Sequence, residues 1–194
     1  MPRNPSEKLR HDLAALLHAQ SVAVGSFTLA SGRTSSYYVD ARKTTMSARG
    51  QQLIGELGVL AIRDAGWAAE AVGGLTLGAD PVAYAIARAS VELPPIIDAF
   101  TVRKAAKSHG GKRRIEGCFT PGMAVVVVED VVTTGQSALQ AVHALAAEGA
   151  RVSGVLAVVD REEGGRGAIE HAGYPLRSLI TLADLRLPPE AYPE

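Results

Sequence analysis

Thirteen consecutive residues carry most of the chemistry legible in this chain: Val125-Val126-Val127-Val128-Glu129-Asp130-Val131-Val132-Thr133-Thr134-Gly135-Gln136-Ser137. Glu129 and Asp130 are adjacent acids delivered by an apolar run. Carboxylates only accept hydrogen bonds, so a pair of them suits the vicinal hydroxyls of a pentose. Thr133, Thr134 and Ser137 supply hydroxyl donors, and Gly135 lets the backbone approach a ligand closely. Backbone N–H groups at the start of a following helix favour an anion. A phosphate cradle beside an acceptor pair is a receptor for ribose 5-phosphate. Any one of these residues alone would more often end a strand or cap a helix; the whole string carries the functional reading. It lacks the Gly-Lys-Ser/Thr of a Walker A loop and the Gly-x-Gly-x-x-Gly of a dinucleotide site.

A second cluster lies between Arg103 and Arg114. Arg103, Lys104, Lys107, His109, Lys112, Arg113 and Arg114 occur there without an acid, and Gly110-Gly111 adds flexibility. Such like charges fit a loop that closes on a polyanion. A departing diphosphate gains negative charge, so cations placed there stabilise the transition state above the ground state. Closure also expels water from a reactive sugar cation. The competing reading is a solvated loop or a nucleic-acid patch, but the aromatic residues of single-strand binding are missing. Asp160-Arg161 follows another apolar run. An arginine fork there matches a carboxylate or a pair of pyrimidine carbonyls, although a lone arginine is more often a surface residue.

These groups need a scaffold. Four successive valines without alternation imply a central strand of a parallel sheet, covered on both faces. The spacing predicts helices over Ser6–His18, from a Ser47 cap to Gly66, from an Asp80-Pro81 start to Ala89, over Ser137–Glu148 and over Ile169–Gly173. Strands are expected at Ala68–Val72 (ending in Gly73-Gly74), Pro95–Val102, Val125–Val128, Val152–Val159 and Leu176–Ile180. Phe27–Ala41 alternates and reads as a hairpin or extended loop. The rhythm is that of an α/β domain, in which ligands gather beyond the carboxyl ends of the strands.

The chain has 194 residues with 20 basic and 20 acidic side chains, a net charge of zero. The length suits one domain that buries roughly 70% of its unfolded surface without a staple. Neutrality argues against a dedicated nucleic-acid or membrane-surface binder. The single cysteine, Cys118, excludes an internal disulfide and a multi-cysteine zinc site. Met1–Arg10 has no apolar core of a secretion signal, and Met123–Val128 is too short to span a bilayer, so the expected location is cytoplasmic. His11, His18, His143 and His171 have no partner pattern.

The 125–137 segment resembles the phosphoribosyl-diphosphate (PRPP) motif of the phosphoribosyltransferases. Phe27-Thr-Leu-Ala-Ser31-Gly32-Arg33-Thr-Ser-Ser-Tyr37-Tyr38-Val-Asp40, Gly73-Gly-Leu-Thr-Leu-Gly78-Ala-Asp80-Pro81 and Val102-Arg103-Lys104-Ala-Ala-Lys107-Ser-His109-Gly110 resemble the orotate phosphoribosyltransferase family in particular. The resemblance runs from about Phe27 to about Arg161. It implies an α/β phosphoribosyltransferase fold, a central parallel sheet flanked by helices. The chain would be one domain over residues 1–194, with a small hood from about residues 1–45 and from the C-terminal tail.

It also implies transfer of phosphoribose from PRPP to N1 of orotate, giving orotidine 5′-monophosphate and diphosphate in de novo UMP biosynthesis. Under it, Arg103, Lys104, Lys107, His109 and the Glu129–Ser137 segment, including Val131, Val132 and Gln136, bind PRPP; Thr133 and Arg161 bind orotate. Asp130 with Lys107 or His109 would be catalytic, either of the latter two serving as proton donor. Mg²⁺ would ride on PRPP rather than on a dedicated protein site, and the basic loop would reach the neighbouring active site of a homodimer. Some relatives have lysine where Ala30 stands, an aromatic pair at Tyr38-Val39 and lysine near Leu77, so side-chain roles at Ala30, Val39 and Leu77 are not implied. Two alternatives remain at this stage: a phosphoribosyltransferase for a purine base, which a choice of acceptor base would reveal, and a PRPP-sensing nucleic-acid-binding regulator, which salt-dependent binding would reveal.

Overall fold

The computed structural model describes residues 5–28, 34–105 and 114–187. Its elements in chain order are α1 (Pro5–Ser21), β1 (Val22–Thr28), β2 (Thr34–Val39), α2 (Arg42–Thr45), α3 (Ala48–Asp64), β3 (Ala71–Leu75), α4 (Ala79–Ser90), β4 (Asp98–Val102), β5 (Ile115–Gly117), β6 (Ala124–Val132), α5 (Gln136–Ala147), β7 (Arg151–Asp160), α6 (Gly165–His171) and β8 (Leu176–Thr181), followed by a 3₁₀ turn at Ala183–Leu185. Six strands form one sheet in the order β5-β4-β3-β6-β7-β8. All neighbours are parallel except β4 and β5.

The valine run explains the layering. Val125 and Val127 enter one core with Ala138, Ala141, Val142 and Leu145 of α5 and Ile169 of α6. Val126 and Val128 enter the other, with Leu53, Ile54 and Ile62 of α3 and Val82 and Ile86 of α4. Side chains alternate across a strand, so an unbroken apolar run can feed both layers. Ser47 caps α3 as expected, its hydroxyl accepting the Gly50 N–H at 3.1 Å.

Several boundaries differ from the sequence expectation. β3 begins at Ala71 and includes Gly73 and Gly74 rather than ending before them. A Cβ on Gly73 would stand 2.1 Å from the Phe100 carbonyl oxygen, and one on Gly74 2.1 Å from that of Val128. These glycines therefore serve close packing within the sheet rather than a turn. β4 is shorter than Pro95–Val102. Asp80 is not the cap of α4: it lies inside the first turn, and its carboxylate accepts the hydroxyls of Thr76 at 2.7 Å and Thr101 at 2.8 Å. Glu129 to Val132 belong to β6, which is nine residues long, because the ladder to β7 continues through Val132↔Asp160. α6 starts at Gly165, ahead of Ile169. The antiparallel edge strand β5 and the short α2 escaped the periodicity reading because each is too brief to show a period.

Outside the main sheet, β1 and β2 form a separate antiparallel pair. α1 packs Leu13 and Leu17 with Leu182, Leu185 and Leu187 near the other end of the chain. The His18 ring Nδ1 lies 2.8 Å from the Leu185 carbonyl oxygen, and Arg10 pairs with Asp184 at 2.6 Å.

Candidate active site

A cleft of about 380 Å³ opens at the carboxyl edge of the sheet. Glu129, Asp130 and Val131 reach it from the end of β6, Thr133 and Ser137 from the turn into α5, and Lys104 from beyond β4. Thr76, Leu77 and Gly78 line it from the β3–α4 loop, Tyr38 to Arg42 from the end of β2 onwards, and Arg161 from the end of β7. Four strand ends and the hairpin thus converge on one place.

The turn after β6 depends on Gly135, whose φ of +80° is left-handed. A side chain there would also bring its Cβ to 2.9 Å from the Gly165 carbonyl oxygen. Both conditions select glycine at the residue that starts α5. Gly78 meets a second demand: a Cβ there would stand 2.5 Å from the Asp130 carboxylate. The β3–α4 loop thereby closes directly over one of the paired acids, while Asp80 ties the same loop to β4 through Thr76 and Thr101.

The two acids differ. Asp130 is partly open to the cleft, and one carboxylate oxygen accepts the Val131 N–H at 2.9 Å. Glu129 is only 6% exposed, and its Oε2 has no hydrogen-bond partner among the described residues. Burial, then the neighbouring charge and hydrogen bond of Asp130, push the Glu129 carboxyl up to about 9. At neutral pH it is a neutral acid. In that form Glu129 offers a hydroxyl donor as well as an acceptor.

Arg161 is 6% exposed and held from two sides. Its Nη2 lies 2.6 Å from the Glu163 carboxylate, and its guanidinium carbon sits 4.9 Å from the centre of the Tyr37 ring. Its backbone N–H bonds the Val132 carbonyl at 3.0 Å, joining it to the end of β6.

Of the residues singled out in sequence, Lys104, Glu129, Asp130, Val131, Thr133, Ser137 and Arg161 are brought together. Val132 is buried in the core, leaving only its backbone for a ligand. Thr134 and Gly135 form the turn between β6 and α5, and Gln136 is the first residue of α5; none of the three lines the cleft. Arg103 turns to the sheet edge, where it pairs with Glu116 of β5 at 2.9 Å. Lys107, His109 and Ala30 lie outside the described residues. Val39 is buried and Leu77 is exposed, and both line the cleft. Sequence reasoning gave no role to Tyr37 or Glu163, nor to Asp40 and Arg42, whose side chains pair at 2.8 Å on the cleft wall. The Tyr37-Tyr38-Val39-Asp40 run was the only signal for the first of these. Arg-x-Glu, as in Arg161 and Glu163, is too common a spacing to read.

Among the described residues no group of three His, Cys, Asp or Glu side chains could hold a metal ion. Glu129 and Asp130 are oxygen donors of the kind hard cations accept. No helix among the described residues is long and apolar enough to cross a membrane.

A mostly parallel sheet with an acid pair and a glycine-opened helix start at its carboxyl edge defines the phosphoribosyltransferase class. No family model matches the sequence. The orotate phosphoribosyltransferase of Aquifex aeolicus is 50% identical over 179 residues, covering 91% of this chain and 97% of the relative. The crystal structure of the Mycobacterium tuberculosis H37Rv orotate phosphoribosyltransferase with Fe(III) dicitrate superposes with a TM-score of 0.83 at 51% identity, over 92% of this chain and 99% of that one. The same enzyme in complex with PRPP gives a TM-score of 0.77 at 45% identity, covering 92% of each chain. The chain belongs to the orotate phosphoribosyltransferase family, pentosyltransferases of pyrimidine biosynthesis.

Proposed function

We propose that this cleft binds PRPP and orotate and joins N1 of orotate to C1 of the ribose. The C1–O bond to diphosphate breaks, the leaving group takes the bonding electron pair, and N1 gives up its proton. The observation that carries the reading is the convergence of Glu129, Asp130, Thr133 and Ser137 with Lys104 and Arg161 on one cleft.

Asp130 and the protonated Glu129 grip the ribose hydroxyls. Asp130 also faces the positive charge that grows on the sugar as the bond to diphosphate lengthens. The turn from Thr133 to Ser137 holds the 5′-phosphate with its N–H and hydroxyl groups. Lys104, with Arg103, Lys107 and His109, takes the diphosphate, and Lys107 or His109 supplies a proton to it. Thr133 and Arg161 receive the base. Glu129 and Asp130 are the chain's own oxygen donors that would stand beside a PRPP-borne Mg²⁺, which would supply screening of the diphosphate charge. α1, the β1–β2 hairpin and the 183–187 turn form the hood. The enzyme works as a cytoplasmic homodimer whose basic loop serves the partner's cleft.

Orotate absorbance followed after adding PRPP and Mg²⁺ tests this directly. We expect a fall that requires both additions, with no diphosphate release from adenine, hypoxanthine or uracil. A flat trace with orotate, beside turnover of a purine base, would replace orotate as the acceptor.

A further inference from the structure

We propose that Glu163 and Tyr37 are positioning residues that clamp the Arg161 guanidinium at the cleft wall in the orientation that receives the base. The proposal rests on the reading of Arg161 as the base-binding residue. Three contacts close on one carboxylate oxygen and one ring. Glu163 Oε1 accepts from Arg161 Nη2 at 2.6 Å and from the Tyr37 hydroxyl at 3.3 Å. The Tyr37 ring, 3% exposed, lies under the guanidinium at 4.9 Å. Burial raises the Tyr37 phenol above its ordinary value, so its hydroxyl remains a donor.

With this grip on one side, Arg161 Nε is left buried without a hydrogen-bond partner among the described residues, on a side chain that lines the cleft. A buried donor of this kind is costly unless something accepts from it. A carbonyl or carboxylate oxygen of a pyrimidine acid is the chemical class that would. The clamp is built from two distant pieces of chain, Tyr37 on β2 and Glu163 in the turn between β7 and α6. Holding the guanidinium in advance removes rotamer entropy that binding would otherwise have to overcome. Glu163 also balances a charge that would be expensive to bury alone.

Steady-state kinetics of the full-length enzyme, with KM for orotate and for PRPP measured separately, tests the clamp. Glu163→Ala should raise the orotate KM about ten- to hundredfold, the scale of one charged hydrogen bond. The PRPP KM should stay within about twofold, as expected for sites that do not share partners. Glu163→Gln, which keeps an acceptor oxygen, should recover most of the loss. In an Arg161→Ala background, Glu163→Ala should add nothing further.

An orotate KM unchanged by Glu163→Ala but raised by Arg161→Ala would overturn the clamp and leave the base site standing. An orotate KM unchanged by both would overturn the base site itself. Parallel rises in both KM values with a lower Tm would mark Glu163 as merely structural and overturn the clamp. Should Glu163→Ala fail to fold, Glu163→Asp decides on the same criteria.

Discussion

Glu129 ends a run of buried valines with its own side chain still almost wholly covered, and Asp130 beside it faces the cleft. The consequence is a stability that depends on pH. An unfolded glutamate releases its proton near 4.5, whereas Glu129 in the fold holds it to about 9. Between those values the native state binds more protons than the unfolded chain, so stability falls as pH rises through that window. Calorimetry should show Tm declining from about pH 5 to about pH 9, with Glu129→Gln declining less. Equal slopes for the two proteins would show that the acid is ionised in the fold. The pairing of the acids was legible from the sequence, as was their place at a sheet edge. Their inequality was not, because it depends on how deeply the folded chain buries each carboxylate, which adjacency in sequence does not reveal. Arg161 was likewise visible at its strand end, but Tyr37 reaches Glu163 across 126 positions, a separation no local pattern reveals.

The elements repeat that lesson. The strand–helix alternation was readable because α3 and α5 are long enough to show their period and β6 carries an unbroken apolar run. The boundaries moved wherever tertiary packing set them. Gly73 and Gly74 look like a turn in sequence and are strand residues, since only hydrogen fits beside Phe100 and Val128. Asp80 looks like a helix cap and instead fastens the preceding loop through two threonines. Gly135 is the element-scale position where sequence and structure agree most closely. Gly135→Ala puts a left-handed residue at the start of α5 and a Cβ close to Gly165. A cost of about 1–3 kcal/mol follows, which in a chain of this size lowers Tm by roughly 3–10 °C. PRPP binding measured by calorimetry should weaken in the same variant, while an unchanged PRPP affinity would separate the turn from the phosphate.

At the scale of the whole molecule, the proposed sharing of the basic loop between two subunits predicts complementation. A subunit carrying Lys107→Ala and a subunit carrying Asp130→Asn should each be nearly inactive as homodimers. Each contact is worth on the order of 10²–10³ in rate. Purified mixed dimers should regain a substantial fraction of activity, because one cleft then has an intact acid pair and an intact loop. Mixed dimers as inactive as their parents would place the loop over its own cleft. The stem of that loop sets a geometric limit on the arrangement. The Arg103 N–H donates to the Arg114 carbonyl at 2.8 Å, so the segment leaves and rejoins the sheet at one point. Ten residues strung between those anchors can extend out and back no farther than about 17 Å. That tether length bounds the spacing of two cooperating subunits: a quaternary arrangement that set the second cleft beyond it would leave each loop stranded short of its target.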